Sequence, residues 1–221
     1  MEVIDDKPKI ICGIDPGLHS TGVVIGPSPT NWLHSRIRKN PALDPIVIGE
    51  SVKARQQRMG DSIARIVKFI RAAAPKGIYA IVIEDFIRQV PVWERRDKRT
   101  GQKVKKPGMI DTRHLEFASL LRHHTYRLAD HYVEVSATTL KKFATGSGRA
   151  KKDDVMLSIY QRWGATFANS DEADAFALWR LGLGCFGGVE PDESEPAKFV
   201  DAYRSSVRVV MDRYKKGVDD G

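Results

Sequence analysis

The chain has 221 residues and a mass of 24.7 kDa, enough for one domain with a sizeable core, or one domain plus an appendage. Its composition, 42% hydrophobic and 29% charged, is that of an ordinary soluble protein, and no apolar run approaches the roughly 20 residues that cross a bilayer. A formal charge of +8 and a pI near 9.5 favour an anionic partner, nucleic acid before membrane, against the plainer reading of a protein that is merely basic.

The acidic N-terminus, Met1 to Asp6, carries no signal- or transit-peptide pattern. Cys12 and Cys185 offer neither a disulfide framework nor zinc spacing. A reducing, cytoplasmic setting is therefore expected.

Ile10 to Asp15 is a short apolar run that Pro16 and Gly17 stop abruptly. It reads as a buried strand with the Asp15 carboxylate at its end. Ser20 to Ile25 reads as a second strand in a hairpin with the first. A third strand falls at either Trp32–Ile37 or Pro45–Ile48. Between Ser51 and Ala74, Met59, Ile63, Ile66, Val67 and Ile70 keep helical spacing up to Pro75 and Gly77. Ile78 to Ile83 is another apolar strand, ending at Glu84-Asp85.

Residues 88–106 differ in character: eight positive charges against two negative give a net +6, with turn signals at Thr100-Gly101 and Pro107-Gly108. An exposed loop or hairpin is expected. Asp111 or Thr112 then caps a helix running to about Asp130, with Leu115, Ala118 and Leu121 inward, before a short strand at Tyr132–Val135. Thr138 to Phe143 reads as helical. Val155, Met156, Ile159, Tyr160 and Trp163 mark a further helix that stops at Gly164. Asn169 or Ser170 caps the last core helix, which carries Asp171 and Asp174. Gly182 to Pro196 reads as a linker. Val200, Tyr203, Val207, Val210 and Tyr214 form a helical stripe that can dock on the core or on a second subunit.

Taken singly, the acidic residues have ordinary explanations. Asp15 is a turn former before Pro-Gly, Glu84 a solvated strand end, and Asp171 a partner for a helix dipole. Taken together, three carboxylate-bearing ends from distant segments suggest one metal site. Asp171 and Asp174, three apart on a helix, project to the same side, while Glu172 points elsewhere. Hard oxygen ligands without a His/Cys cluster suit Mg²⁺, with Mn²⁺ expected to substitute. Such ions promote phosphodiester hydrolysis, and a basic surface holds the polyanion.

These segments carry a resemblance. Gly13-Ile14-Asp15-Pro16-Gly17 with Thr21-Gly22, Ile83-Glu84, the run Gly146 to Lys152, and Asp171-Glu172-Ala173-Asp174-Ala175 resemble, in order, motifs of the RuvC family of Holliday junction resolvases, within the ribonuclease H-like superfamily. The likeness spreads from about Ile10 to Leu183. It implies an α/β fold, a ribonuclease H-like mixed sheet flanked by helices, with a C-terminal helical appendage. It also implies that Asp15, Glu84, Asp171 and Asp174 are the metal-binding catalytic carboxylates, and that Lys152 and Lys141 lie near the scissile phosphate. Arg149 and Lys151 then belong to the DNA-binding set. The basic insert departs from the family, where a shorter connection stands; its concentrated net +6 favours DNA contact by Arg95, Arg96, Lys98, Arg99, Lys103, Lys105 and Lys106 over a merely solvated loop. The family's aromatic wedge follows its glutamate by three residues. Here Ile87 holds that place and Phe86 precedes it, so Phe86 is either a wedge or a core contact.

The expected organisation is a nuclease domain over 1–184 with the insert at 88–106, then a linker and C-terminal helix over 185–221. The expected activity is Mg²⁺-dependent crossover junction endodeoxyribonuclease in DNA recombination and repair, acting on branched DNA as a homodimer away from membranes, since a two-fold enzyme matches a two-fold substrate. The alternatives are a ribonuclease H-like nuclease on hybrids or flaps, and a non-catalytic junction-binding protein. An actin-like ATPase would need two lobes, for which the chain is too short.

Overall fold

A computed structural model describes residues 8–17, 20–38, 51–85, 92–96, 99, 103–107 and 112–219, with 38, 92–96, 103–107, 112–114 and 217–219 as backbone alone. Apolar runs form its central strands because both faces of the sheet are covered. In β1 (Ile11–Asp15) Ile11 faces one layer, while Cys12 and Ile14 face the other. In β4 (Ile78–Asp85) Ala80 and Val82 face the first layer, and Ile81 and Ile83 the second.

β2 (Ser20–Ser28) returns antiparallel to β1, and β3 (Asn31–Arg38) pairs antiparallel with β2. The third strand is thus the one containing Trp32–Ile37; Pro45–Ile48 lies outside the described residues. β4 and β7 (Ala129–Ser136) run parallel to β1, giving the order β3-β2-β1-β4-β7. α1 (Val52–Ala73) is capped by Ser51, whose Oγ accepts from the Ala54 amide at 3.2 Å. It packs with α2 (Thr112–Thr125) over one face of the sheet. The basic insert does form a hairpin: β5 (Val92–Arg96) pairs antiparallel with β6 (Lys103–Pro107).

α2 is shorter than the sequence suggests. It ends at Thr125, a 3₁₀ turn covers Tyr126–Leu128, and Asp130 lies in β7 rather than in the helix. The Thr125 hydroxyl bonds the Leu121 carbonyl at 2.8 Å. Beyond the turn, pairing of Ala129 with Ile78 starts the parallel ladder. Sheet pairing overrides local helix propensity there.

The opposite face is covered by α3 (Ala137–Thr145), α4 (Lys152–Trp163), α5 (Ser170–Phe186) and α6 (Ala197–Asp219). The stripe of α6 docks on this core: Val200, Tyr203 and Val210 are buried, the Tyr203 ring lies 5.1 Å from that of Phe143, and Tyr214 bonds His131. Among the described residues no helix is long and apolar enough to cross a membrane.

α5 lies very close to the sheet. A Cβ on Gly13 would stand 2.2 Å from the Ala175 carbonyl oxygen, and one on Gly22 would stand 2.0 Å from that of Asp171. Only hydrogen at these two positions lets the helix backbone lie directly on β1 and β2. Its first turn is thereby brought to the end of β1.

Candidate metal centre

Strand pleating aims the first two carboxylates. Gly13 meets α5, so Asp15, two residues on, points to the α5 face. Glu84 follows Val82 by two and points the same way. The ladder pairs Ile14 with Ile83, which places Asp15 and Glu84 at neighbouring strand ends. Asp174, just past the first turn of α5, completes the group. Asp15, Glu84 and Asp174 each offer a carboxylate oxygen, and these oxygens lie within 4.8 Å of one another.

The electrostatics are those of crowded, poorly solvated carboxylates. Burial, followed by the charges of Glu84, Asp174 and Asp171, pushes the Asp15 carboxyl well above the usual range. Burial and the Asp174 charge raise Glu84 to about 7, while its hydrogen bond with Asp15 and the nearby Lys141 and Lys152 work the other way. Burial pushes Asp174 up to about 6, opposed first by Lys152. Three hard oxygen donors that resist ionisation together are a fitting donor set for a divalent cation such as Mg²⁺.

Asp171 sits differently. It is not within the close group of three; it accepts a hydrogen bond from Ser20, which is buried on β2. Ser170 donates to its other oxygen at 3.4 Å, and Lys152 Nζ donates to Ser170 Oγ at 3.2 Å. Lys152 thus reaches the acidic turn through Ser170. Lys141, half-buried on α3, faces Glu84 and Asp174 closely enough to lower both.

Sequence reasoning missed the clamp around Glu172. This buried carboxylate accepts from Asn169 Nδ2 at 2.8 Å and lies 3.2 Å from His34 Nδ1, while its own amide donates to Asn169 Oδ1 at 3.1 Å. Asn169 is the observed N-cap. The cap-box signal, an Asn three residues before a Glu, was readable; the partner on β3 was not. At the strand ends Arg122 of α2 bridges Asp85 at 3.0 Å and Glu134 at 2.8 Å, tying β4 to β7.

Arg149 and Lys151 are exposed on the segment before α4, and Arg99 is exposed in the turn of the basic hairpin. Arg95, Arg96, Lys103, Lys105 and Lys106 are placed on β5 and β6 by backbone alone. Phe86 and Lys98 lie outside the described residues.

No protein-family model matches the sequence, and no curated protein does. The fold has counterparts. The structure of Thermus thermophilus RuvC superposes with a TM-score of 0.52 at 17% identity, covering 83% of this chain and 99% of that one. The chain has a RuvC-like fold. A T. thermophilus RuvC in complex with a Holliday junction substrate aligns at TM-score 0.49 and 15% identity, over 77% of this chain and 90% of that one. The yeast mitochondrial Holliday junction resolvase Ydc2 aligns at 0.45 and 12%, over 96% and 89%. At these identities the likeness is one of fold. Within the RuvC-like fold, the mixed sheet and its flanking helices match the architecture expected from the motifs.

Proposed function

We propose that this protein is a divalent-metal-dependent, structure-selective DNA endonuclease that nicks four-way junctions in pairs, as a homodimer. The observation that carries the reading is the meeting of Asp15, Glu84 and Asp174, from β1, β4 and α5, within a RuvC-like fold. These three residues would hold Mg²⁺ or Mn²⁺, with Asp171 beside them. When bound, the ions supply the Lewis acidity for phosphodiester hydrolysis.

The chain's own groups do the rest. Below about pH 7 for Glu84 and about pH 6 for Asp174, loading the site would displace the protons that burial holds on them. Lys141 and Lys152 offset the carboxylate charge at the mouth of the site. From there an ammonium group can stabilise charge that develops on the scissile phosphoryl oxygens. Ser20 and the Asn169–Glu172–His34 clamp fix the first turn of α5, so that the carboxylates do not drift. Arg149 and Lys151, with the hairpin whose segment carries a net +6, supply cations for the DNA arms.

The test is incubation of the purified protein with a labelled synthetic four-way junction, with Mg²⁺ and with EDTA, beside flap, RNA–DNA hybrid and linear duplex. Symmetric nicking of the junction in Mg²⁺ alone is the expected result. Preference for the flap or hybrid would assign a different ribonuclease H-like nuclease, and binding without product would assign a non-catalytic junction binder.

A further inference from the structure

The sequence offered no role for the C-terminal helix beyond docking its apolar stripe. Its docked position runs from β7 to the end of α3. Tyr214, near its end, bonds His131 at the start of β7. Tyr203 packs on Phe143 of α3, and the first turn abuts Gly146, the residue that ends α3. A Cβ on Gly146 would stand 3.7 Å from the Lys198 carbonyl oxygen and 3.9 Å from Lys198 Cδ. Lys198 therefore lies against the segment that leads to Arg149, Lys151 and Lys152. It is exposed, as is Lys142 in the last turn of α3, and among the described residues neither is ion-paired.

Two acidic groups of the adjoining linker are spent elsewhere: Glu195 pairs with the buried Arg162 at 2.7 Å, and Glu193 pairs with Arg204. Asp153, Asp154 and Asp201 are exposed carboxylates on the rim and near the start of α6, set against Lys142, Arg149, Lys151, Lys152 and Lys198, so the surplus along this edge stays positive.

We propose that the first turn of α6 belongs to the nucleic-acid interface, with Lys198 and Lys142 extending the Gly146–Lys152 rim to take the phosphate backbone of a DNA arm. This rests on the functional reading above. Lys215, on the same helix and equally exposed, sits near the Tyr214 end and lies outside that interface.

Binding of a labelled four-way junction, measured in EDTA against salt concentration, tests it with the full-length chain, Lys198→Glu, Lys198→Gln and Lys215→Glu. Lys198→Glu should weaken binding about three- to tenfold and Lys198→Gln less, and each should flatten the slope of log K against log salt by about 1, since either change removes one phosphate contact. Lys215→Glu should match the parent chain. Equal behaviour of the Lys198 and Lys215 variants, whether both unchanged or both weakened, overturns the proposal. A parent chain that binds no junction overturns the functional reading as well.

Discussion

Asp15 and Glu84 share a hydrogen bond across neighbouring parallel strands, one raised and the other lowered by it, in a site where Asp15 is buried and Glu84 half-buried. Two acids in that position cannot both ionise without a cation between them.

The stability of the ion-free protein should carry the imprint of that pair. The folded-state pKa of Glu84, about 7, lies above its ordinary value of 4.5, so the native state holds the extra proton between those limits. Its contribution to stability is present below about pH 4.5, falls as pH rises to 7, and is flat above. At about 1.4 kcal/mol per unit the loss is on the order of 3 kcal/mol. Thermal melts in EDTA should show Glu84→Gln more stable than the parent at pH 8 and the difference vanishing near pH 4.5. A parent as stable as the variant at pH 8 would contradict this.

Added Mg²⁺ should raise the Tm of the parent at pH 8 and do little at pH 5, where protons compete for the same oxygens. Asp174→Asn should abolish the shift, which melts at both pH values will read directly.

In nicking assays Asp15→Asn, Glu84→Gln and Asp174→Asn should each lower the Mg²⁺-dependent rate by at least about 100-fold while leaving junction affinity within about threefold. Asp171→Asn should cost less, about tenfold, because its Ser20 contact survives with an amide oxygen. Retained cleavage in the first three would refute the site assignment.

Removing a cation should move the acids the other way. Lys152 is the largest opposing influence on Asp174, and Lys141 also lowers both Asp174 and Glu84. Lys152→Ala should therefore shift the pH midpoint of Mg²⁺-induced stabilisation upward and slow nicking about 10- to 100-fold. The pH series of melts separates this from a loss of phosphate contact alone, which would leave the midpoint in place.

Gly22→Ala tests the close approach of α5. The new methyl would stand 2.0 Å from the Asp171 carbonyl oxygen, so the helix must lift. A loss of about 1–3 kcal/mol is expected, together with weaker Mg²⁺ binding, measured by melts with and without the ion. A stable variant with unchanged Mg²⁺ response would place the constraint elsewhere.

Strand ends, helix stripes and the order of the motifs were legible in the sequence because each is set by local chemistry. Ile10 to Asp15 and Ile78 to Glu84 are apolar runs stopped by a turn or by charge, and Asn169 is a cap whose side-chain oxygen accepts from the amide three residues on. The shift from α2 into β7 was not legible, because pairing of Ala129 with Ile78 joins residues 51 apart and outweighs helix propensity. Nor could spacing tell that Asp171 leans on Ser20 while Asp174 turns to Asp15 and Glu84, or that His34 reaches Glu172. Those contacts join residues some 70 to 160 positions apart. They exist because the parallel register and two side-chain-free positions, Gly13 and Gly22, bring α5 down onto the sheet. The identity of the carboxylates was written locally; their meeting was decided by packing.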